Sequence, residues 1–93
     1  MARSICVVGL GEIGSQVLAE LSARQKGDNV FGVDLDPARV AQLKSMNLFV
    51  GETLPKESDI YIVTVWSTNQ IIAVLAQIER AHLISIESTI DPT

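Results

Sequence analysis

The pattern of apolar and polar positions divides the chain into alternating strand-like and helix-like segments. Near-continuous apolar runs are typical of parallel strands covered on both faces, and they occupy residues 4–10, 29–35, 47–51, 60–66 and 82–89. Segments with helical spacing of apolar residues occupy residues 12–26, residues 36 to 45 or 46, and the stretch after Ser67 or Thr68. The order β-α-β-α-β-β-α-β predicts an α/β fold: a doubly wound parallel sheet in three αβα layers with strand order 3-2-1-4-5.

Each predicted helix carries an apolar face that we expect to pack against the sheet. The positions concerned are Ile13, Val17, Leu18 and Leu21 in the first helix, Val40, Leu43 and Met46 in the second, and Ile71, Ile72, Leu75 and Ile78 in the third. The second helix also has a start signal, because Asp36 can act as its N-cap and Pro37 suits the first helical turn.

Length and composition restrict the class of protein. The 93 residues correspond to one small domain, so residues 1–93 are treated as a single unit. The formal net charge is −4 with both signs scattered, which argues against nucleic acid or an anionic membrane surface as a partner. Cys6 is the sole cysteine, which excludes an internal disulfide, and no stretch approaches the roughly 20 apolar residues of a membrane span. Without a signal-peptide pattern either, we expect a cytoplasmic protein.

Three glycines lie between the first predicted strand and the first predicted helix, in the pattern Gly9-x-Gly11-x-x-Gly14. In a Rossmann-type fold the first permits a tight turn, the second lets a pyrophosphate approach the backbone, and the third lets the helix lie close to the sheet. The helix start then presents unpaired N–H groups and partial positive charge to phosphate oxygens. The intervening Glu12 and Ile13 are included in the predicted cofactor site, with the Glu12 side chain expected to point to solvent.

Asp34 lies 20 residues after Gly14, at the end of the second predicted strand. Its carboxylate can accept hydrogen bonds from the adenosine ribose hydroxyls and would repel a 2′-phosphate, so NAD is predicted rather than NADP. Arg39 is the argument for NADP, since an arginine there could pair with that phosphate, but its position in the first turn of the following helix, beyond Asp34, makes this the weaker alternative. In the alternative interpretation the glycines only form a tight turn and Asp34 is a solvated turn residue. The spacing of all four residues along the sequence, relative to the predicted strands and helix, favours the cofactor site.

The segments GLGEIGSQVLAEL, VFGVDLDPARVAQL and HLISIESTIDPT together resemble the NAD-binding half of UDP-glucose/GDP-mannose dehydrogenases. The pattern of that family is GLGxVG, then GVDxDxxRVxxL, then a fifth strand ending in EST or KST. The segment STIDPT also resembles 3-hydroxyisobutyrate-type β-hydroxyacid dehydrogenases, which share GLGxMG and an aspartate ending the second strand. Both resemblances imply a Rossmann fold and an NAD cofactor, and GVDLDPARVAQL and ESTI favour the nucleotide-sugar family.

The resemblance also implies roles for residues that follow the last two strands. Ser67 falls where the nucleotide-sugar family commonly has a threonine near the cofactor, although Trp66 replaces the usual proline. Thr89 matches the family threonine that helps to position the catalytic water, and it is the one candidate for a catalytic role. In the β-hydroxyacid family Ser88 and Thr89 would instead bind the substrate carboxylate.

The resemblance implies that full activity needs residues beyond this chain. The nucleotide-sugar enzymes oxidise an alcohol to an acid in two hydride transfers through a thiohemiacetal, and their cysteine and lysine lie far beyond residue 93. Cys6 lies within a predicted strand and cannot replace that cysteine, and the β-hydroxyacid enzymes also need a later lysine. We therefore expect the N-terminal part of a longer dehydrogenase that binds NAD but does not turn over a nucleotide-sugar substrate alone. A stand-alone dinucleotide-binding module is the non-enzymatic alternative.

Three further residues have two interpretations each. Trp66 could flank the cofactor or pack in the core, Glu87 could lie near the site or end a solvated strand, and His82 is expected at the surface rather than in acid–base chemistry. No group of residues has metal-ligand spacing, so no metal site is predicted. Apolar surface left without a substrate domain favours self-association, so a homodimer is predicted.

Overall fold

The computed structural model describes residues 3–24, 27–65 and 68–86 of the chain. Its helices and strands, in chain order, are β1 (Ser4–Val8), α1 (Glu12–Arg24), β2 (Asn29–Val33), α2 (Pro37–Lys44), β3 (Val50–Gly51), β4 (Ile60–Val63), α3 (Thr68–Gln77) and β5 (Leu83–Ile86). This sequence of elements confirms the predicted alternation. Strands β1, β2 and β3 are shorter than the apolar runs that predicted them, and β3, with two residues, is the shortest strand.

The strands form one five-stranded sheet in the order β3-β2-β1-β4-β5, and every neighbouring pair is parallel. The predicted α/β Rossmann-type fold with strand order 3-2-1-4-5 is therefore confirmed. Because residues in register across a parallel sheet point to the same face, Ile5, Ile60 and Leu83 form one row on one face. The central strand β1 places its carboxyl end between those of β2 and β4.

Two apolar clusters cover the two faces of the sheet. Beneath α1 and α2, the buried residues of the first cluster include Ile5, Val7, Leu10, Leu18, Val40 and Leu43. Beneath α3, the buried residues of the second cluster are Cys6, Val8, Val33, Tyr61, Val63 and Ile71. The Tyr61 hydroxyl stays satisfied inside this cluster, since it donates to the carbonyl of Pro55 at 2.7 Å. Removal of these side chains from water is the main favourable contribution to folding.

Four apolar residues that were predicted to face the sheet are exposed instead, namely Ile13, Met46, Ile72 and Leu75. Ile13 lies one position before the buried Gly14, and Ile72 one position after the buried Ile71. One position rotates a side chain by about 100° around a helix axis, which is enough to move it off the buried line. Met46 follows the end of α2 at Lys44. No helix in the described ranges is long and apolar enough to cross a membrane.

A side-chain network joins the amino ends of β1 and β4. The Asp59 carboxylate accepts hydrogen bonds from the backbone N–H and the hydroxyl of Ser4, at 2.9 and 3.2 Å. The first of these bonds is the main reason why the pKa of Asp59 lies below its usual value. The other carboxylate oxygen lies 3.7 Å from the exposed imidazole of His82. This network fixes the register of the two strands whose opposite ends form the candidate site.

Candidate functional site

The turn after β1 is formed around Gly9, whose backbone φ is +88°. Side chains rarely tolerate this left-handed conformation, so glycine is required here as the sequence predicted. The N–H of Gly9 donates to the carbonyl of Val33 at 2.8 Å. The next N–H, that of Leu10, donates to the Asp34 carboxylate at 2.7 Å. The loop after β1 is therefore fastened to the end of β2 by two consecutive amides.

Gly14 is buried in the first turn of α1, where it packs against this loop. A Cβ atom at this position would overlap the carbonyl oxygen of Gly9 and the hydroxyl of Thr64. The Thr64 hydroxyl itself hydrogen-bonds the same Gly9 carbonyl and lies 3.0 Å from the carbonyl of Val8. Gly14 thus allows the close approach between helix and sheet that the glycine pattern predicted.

The amino terminus of α1 faces the carboxyl edge of the sheet with unpaired backbone donors. Its hydrogen-bond ladder begins where the N–H of Ser15 donates to the carbonyl of Gly11 at 2.9 Å, and the Ser15 hydroxyl donates to the same carbonyl at 2.7 Å. The amides of Glu12, Ile13 and Gly14 precede this first bond, and a helix leaves such N–H groups without intrahelical acceptors. Together with the helix dipole, they form an environment suited to an anion.

Asp34 follows the end of β2 and is half-buried. Its Oδ2 accepts the hydrogen bond from Leu10, and its Oδ1 accepts another from the backbone N–H of Asp36 at 2.8 Å. A carboxylate oxygen has two lone pairs, so each oxygen retains one acceptor position. Asp36 caps α2 as predicted, since its side chain accepts from the N–H of Ala38 at 3.0 Å.

A cavity of about 510 Å³ opens at this edge of the sheet, and the glycine loop and Asp34 both line it. Ligand sites of doubly wound sheets lie at the carboxyl ends of the strands beside the point where strand order reverses, and the cavity occupies that position. A second cavity, of about 480 Å³, lies beside Phe31 and Phe49 near the start of β2 and contains none of the predicted site residues.

The predicted site residues divide into four groups by position. Gly9, Gly11 and Asp34 line the cavity, and Gly14 is buried behind the loop. Glu12 and Ile13 are exposed in the first turn of α1 and do not line the cavity. The predictions for Ser67 and Thr89, and those for Trp66, Glu87 and Ser88, fall outside the described residues.

Several lining residues were not among the sequence predictions. The loop after β3 contributes Glu52, Thr53 and Leu54, the loop after β4 contributes Thr64 and Val65, and α3 contributes Gln70, Ala73, Val74 and Gln77. The carboxyl ends of β3 and β4 were a usable signal for the first two groups, since they adjoin the same sheet edge. The α3 residues had no such signal, because alanine, valine and glutamine carry no chemistry specific to a cofactor.

The charges around the cavity are unevenly distributed. Three carboxylates, those of Asp34, Asp36 and Glu52, line the side near β2 and β3, where the guanidinium of Arg39 is the cationic group. Backbone amides therefore have to provide most of the attraction for a diphosphate at the glycine loop. Cys6 lies in the core instead, where burial raises the pKa of its thiol to about 12 and keeps it unreactive. The described part of the chain contains no group of three or more His, Cys, Asp or Glu residues that could hold a metal ion.

Comparisons with known proteins agree with this geometry. The TrkA-N domain family matches residues 5–86. The UDP-N-acetyl-D-mannosamine dehydrogenase of Methanococcus aeolicus is 31% identical, over 97% of this chain and 28% of that protein. The chain thus spans less than a third of the length of this curated relative.

Two solved structures share the fold at low sequence identity. L-tryptophan dehydrogenase from Nostoc punctiforme matches with a TM-score of 0.66 and 20% identity, over 94% of this chain and 27% of that chain. The WlbA dehydrogenase from Chromobacterium violaceum, solved in complex with NADH and UDP-GlcNAcA, matches with a TM-score of 0.53 and 21% identity. That match covers 69% of this chain and 21% of the other.

Proposed function

The chain belongs to the TrkA-N domain family of Rossmann NAD-binding domains, and from that premise we propose that it binds NAD in the cavity beside the glycine loop. We further propose that it is the NAD-binding domain of a nucleotide-sugar dehydrogenase. The observation that carries the first proposal is the meeting of Gly9, Gly11 and Asp34 on one cavity at the carboxyl edge of the sheet.

Each part of the cavity suits one part of a dinucleotide. The unpaired amides at the start of α1 donate to the diphosphate, and the lack of a side chain at Gly11 leaves room for its oxygens. The remaining lone pairs of Asp34 accept hydrogen bonds from the adenosine ribose hydroxyls. Leu54, Ala73 and Val74 supply apolar wall for the adenine ring. When bound, NAD supplies the hydride acceptor of an oxidation, and these residues hold and orient it.

The charges of the site support NAD rather than NADP. A 2′-phosphate on the adenosine ribose would add negative charge beside Asp34, Asp36 and Glu52, and Arg39 offers one positive charge against three carboxylates. Like charges repel by about 1 kcal/mol at 4 Å where solvent screens them and by more where they are partly buried. The expected preference is therefore for the cofactor without that phosphate.

The substrate class rests on similarity rather than on the cavity. Both the relative from Methanococcus aeolicus and the WlbA complex act on or contain a UDP-sugar according to their names, and the sequence segments resemble the UDP-glucose/GDP-mannose dehydrogenases. We propose that Ser67 contacts the cofactor and that Thr89 positions the catalytic water in the complete enzyme. The assignment to the UDP-glucose/GDP-mannose type of dehydrogenase, rather than to nucleotide-sugar dehydrogenases in general, is also part of this proposal.

Calorimetric titration of the 93-residue chain with NAD and NADP tests cofactor binding. We expect saturable NAD binding and at least about tenfold weaker NADP binding. Gly14→Ala should abolish binding, since its Cβ would overlap Gly9 and Thr64. Gly27→Ala is the matched control, because a Cβ at Gly27 meets no atom within 4 Å. Absence of NAD binding by the wild-type chain, with its fold intact by circular dichroism, would refute the proposal.

The substrate class requires a separate assay. With the full-length gene product, NADH formation is measured with UDP-sugars, GDP-sugars and a 3-hydroxyacid as alternative substrates. Two NADH formed per nucleotide sugar would support the proposed two-step oxidation, and activity only with the hydroxyacid would contradict it.

A further inference from the structure

We propose that Asp34 positions the phosphate-binding loop in addition to binding the ribose, so that one carboxylate couples the two subsites. This inference rests on the proposed NAD site. It concerns the backbone of the loop, whereas the proposed ribose contact concerns the ligand.

The two hydrogen bonds of the Asp34 carboxylate connect segments far apart in the chain. One reaches back 24 residues to the N–H of Leu10 at 2.7 Å, and the other reaches forward two residues to the N–H of Asp36 at 2.8 Å. Hydrogen bonds to a charged acceptor are short and about twice as strong as neutral ones. Both carboxylate oxygens are therefore engaged with the protein before a ligand arrives.

Leu10 is held from two sides, which makes it the anchor of the loop. Its side chain is fully buried beneath α1, and its N–H points to Asp34. The neighbouring N–H, that of Gly9, is held by the carbonyl of Val33. Two consecutive loop amides thus pair with Val33, the last residue of β2, and with Asp34, the residue after it, and this positions the loop that leads to the remaining amides at the start of α1. Such pre-organisation lowers the entropic cost of binding a phosphate.

Asparagine at position 34 would keep the size of the side chain but not this arrangement. One of its two terminal atoms is an NH₂ group, which donates and cannot accept. Whichever way the amide is turned, that group faces the N–H of either Leu10 or Asp36. Asp34→Asn therefore loses one of these two hydrogen bonds even when no ribose is present.

The decisive experiment uses two nucleotides that differ only in the ribose hydroxyls, ADP and 2′,3′-dideoxy-ADP. Calorimetric affinities are measured for the wild-type chain and for Asp34→Asn. If Asp34 positions the loop, the variant binds dideoxy-ADP about tenfold more weakly than the wild type does, and ADP at least as much more weakly. Loss confined to ADP, with dideoxy-ADP affinity unchanged, would show that Asp34 acts through the ribose alone and would overturn the inference.

Asp28→Asn provides a matched control at the opposite end of the sheet. The Asp28 carboxylate also accepts a backbone hydrogen bond, from the N–H of Arg3 at 2.9 Å, but it lies far from the glycine loop. This variant loses the same charge and should bind both nucleotides as the wild type does. An equal loss in Asp28→Asn would mean that the weakening is not specific to the hydrogen bond at Leu10, which also overturns the inference. The loss of a negative charge should by itself favour an anionic nucleotide.

Amide hydrogen exchange tests the hydrogen bond between the Leu10 N–H and Asp34 without any nucleotide. In the wild-type chain the N–H of Leu10 should exchange at least about tenfold more slowly than that of Glu12, which precedes the α1 ladder. Equal exchange rates would refute the positioning role, even if Asp34→Asn failed to fold. If the wild type binds neither nucleotide while the Leu10 amide is protected, the proposed NAD site fails and the loop contact stands.

Discussion

Strands β1 and β5 belong to one sheet and have similarly apolar sequences, SICVV and LISI, but their environments differ. The last four residues of β1 are buried, whereas three of the four β5 residues are exposed and the other is intermediate. The contrast is clearest within one register row, where Ile5 is 4% exposed and Leu83 is 56% exposed. Composition makes both segments strands, and position in the sheet decides how much each stabilises the fold.

The difference follows from what covers each strand. The cluster beneath α1 and α2 includes Ile5, and its margin is reached at Ile60, which is only half-buried. Leu83 lies one strand farther out in the same row, beyond that margin. Burial therefore decreases from β1 to β5 along this row. The candidate site lies at the buried side, where β1 leads into the glycine loop.

The largest expected difference is between truncation of the Ile5 side chain and truncation of the Leu83 side chain to alanine. Ile5→Ala should lower the free energy of unfolding by about 2–5 kcal/mol, because it removes buried methyl groups and leaves a cavity. Leu83→Ala should change it by about 0.5 kcal/mol, as is usual at exposed positions. Urea unfolding followed by circular dichroism measures both. Equal losses in the two variants would mean that β5 is covered in solution.

Much of the fold was predictable because it depends on local patterns. Glycine at positions 9 and 14 and the acidic residue at position 34 stand in fixed relation to a strand and a helix, so their placement follows from the motif. The exposure of Leu83 was not predictable from its own segment, because an apolar run looks alike at the centre and at the edge of a sheet. The same holds for Ile72, whose helix has an apolar residue on nearly every side.

The site was predictable only where residue type carries chemistry. Asp34 was predicted as a cofactor-binding residue whose carboxylate contacts the ribose alone. Its hydrogen bond to Leu10 depends on how two loops converge in space, and no spacing rule contains that information. For the same reason Val74 and Gln77 of α3 could be identified as lining residues only from the structure.

A smaller effect is expected from Asp59, which contacts both the central strand and the residue before β5. Its carboxyl has a lowered pKa in the folded protein, chiefly through the Ser4 amide. The stability it contributes is therefore complete above its ordinary value of about 3.9 and is lost as the pH falls through the lower folded value. The free energy of unfolding of the wild type should exceed that of Asp59→Asn at neutral pH, and the difference should shrink below about pH 4.

His82→Gln separates the two contacts of Asp59. The imidazole is exposed and lies 3.7 Å from the carboxylate, so its removal should leave most of the acid-dependent loss in place. If His82→Gln abolishes that loss as completely as Asp59→Asn does, the contact on the β5 side dominates and the Ser4 bonds matter little.

The smallest effect concerns self-association through the uncovered edge. Within the described residues β5 is the edge strand of the sheet and exposes Leu83, Ile84 and Ile86, so a second copy could bury them and shield the strand edge. Sedimentation equilibrium should detect a weak homodimer, and Leu83→Lys should weaken it about tenfold by placing a charge in the contact. Met46→Lys is the matched control, since Met46 is 58% exposed but lies after α2, away from β5. A wild-type chain that stays monomeric at high concentration, or equal weakening by both variants, would exclude β5 as the contact. In that event β5 would resemble β1 only in its apolar sequence.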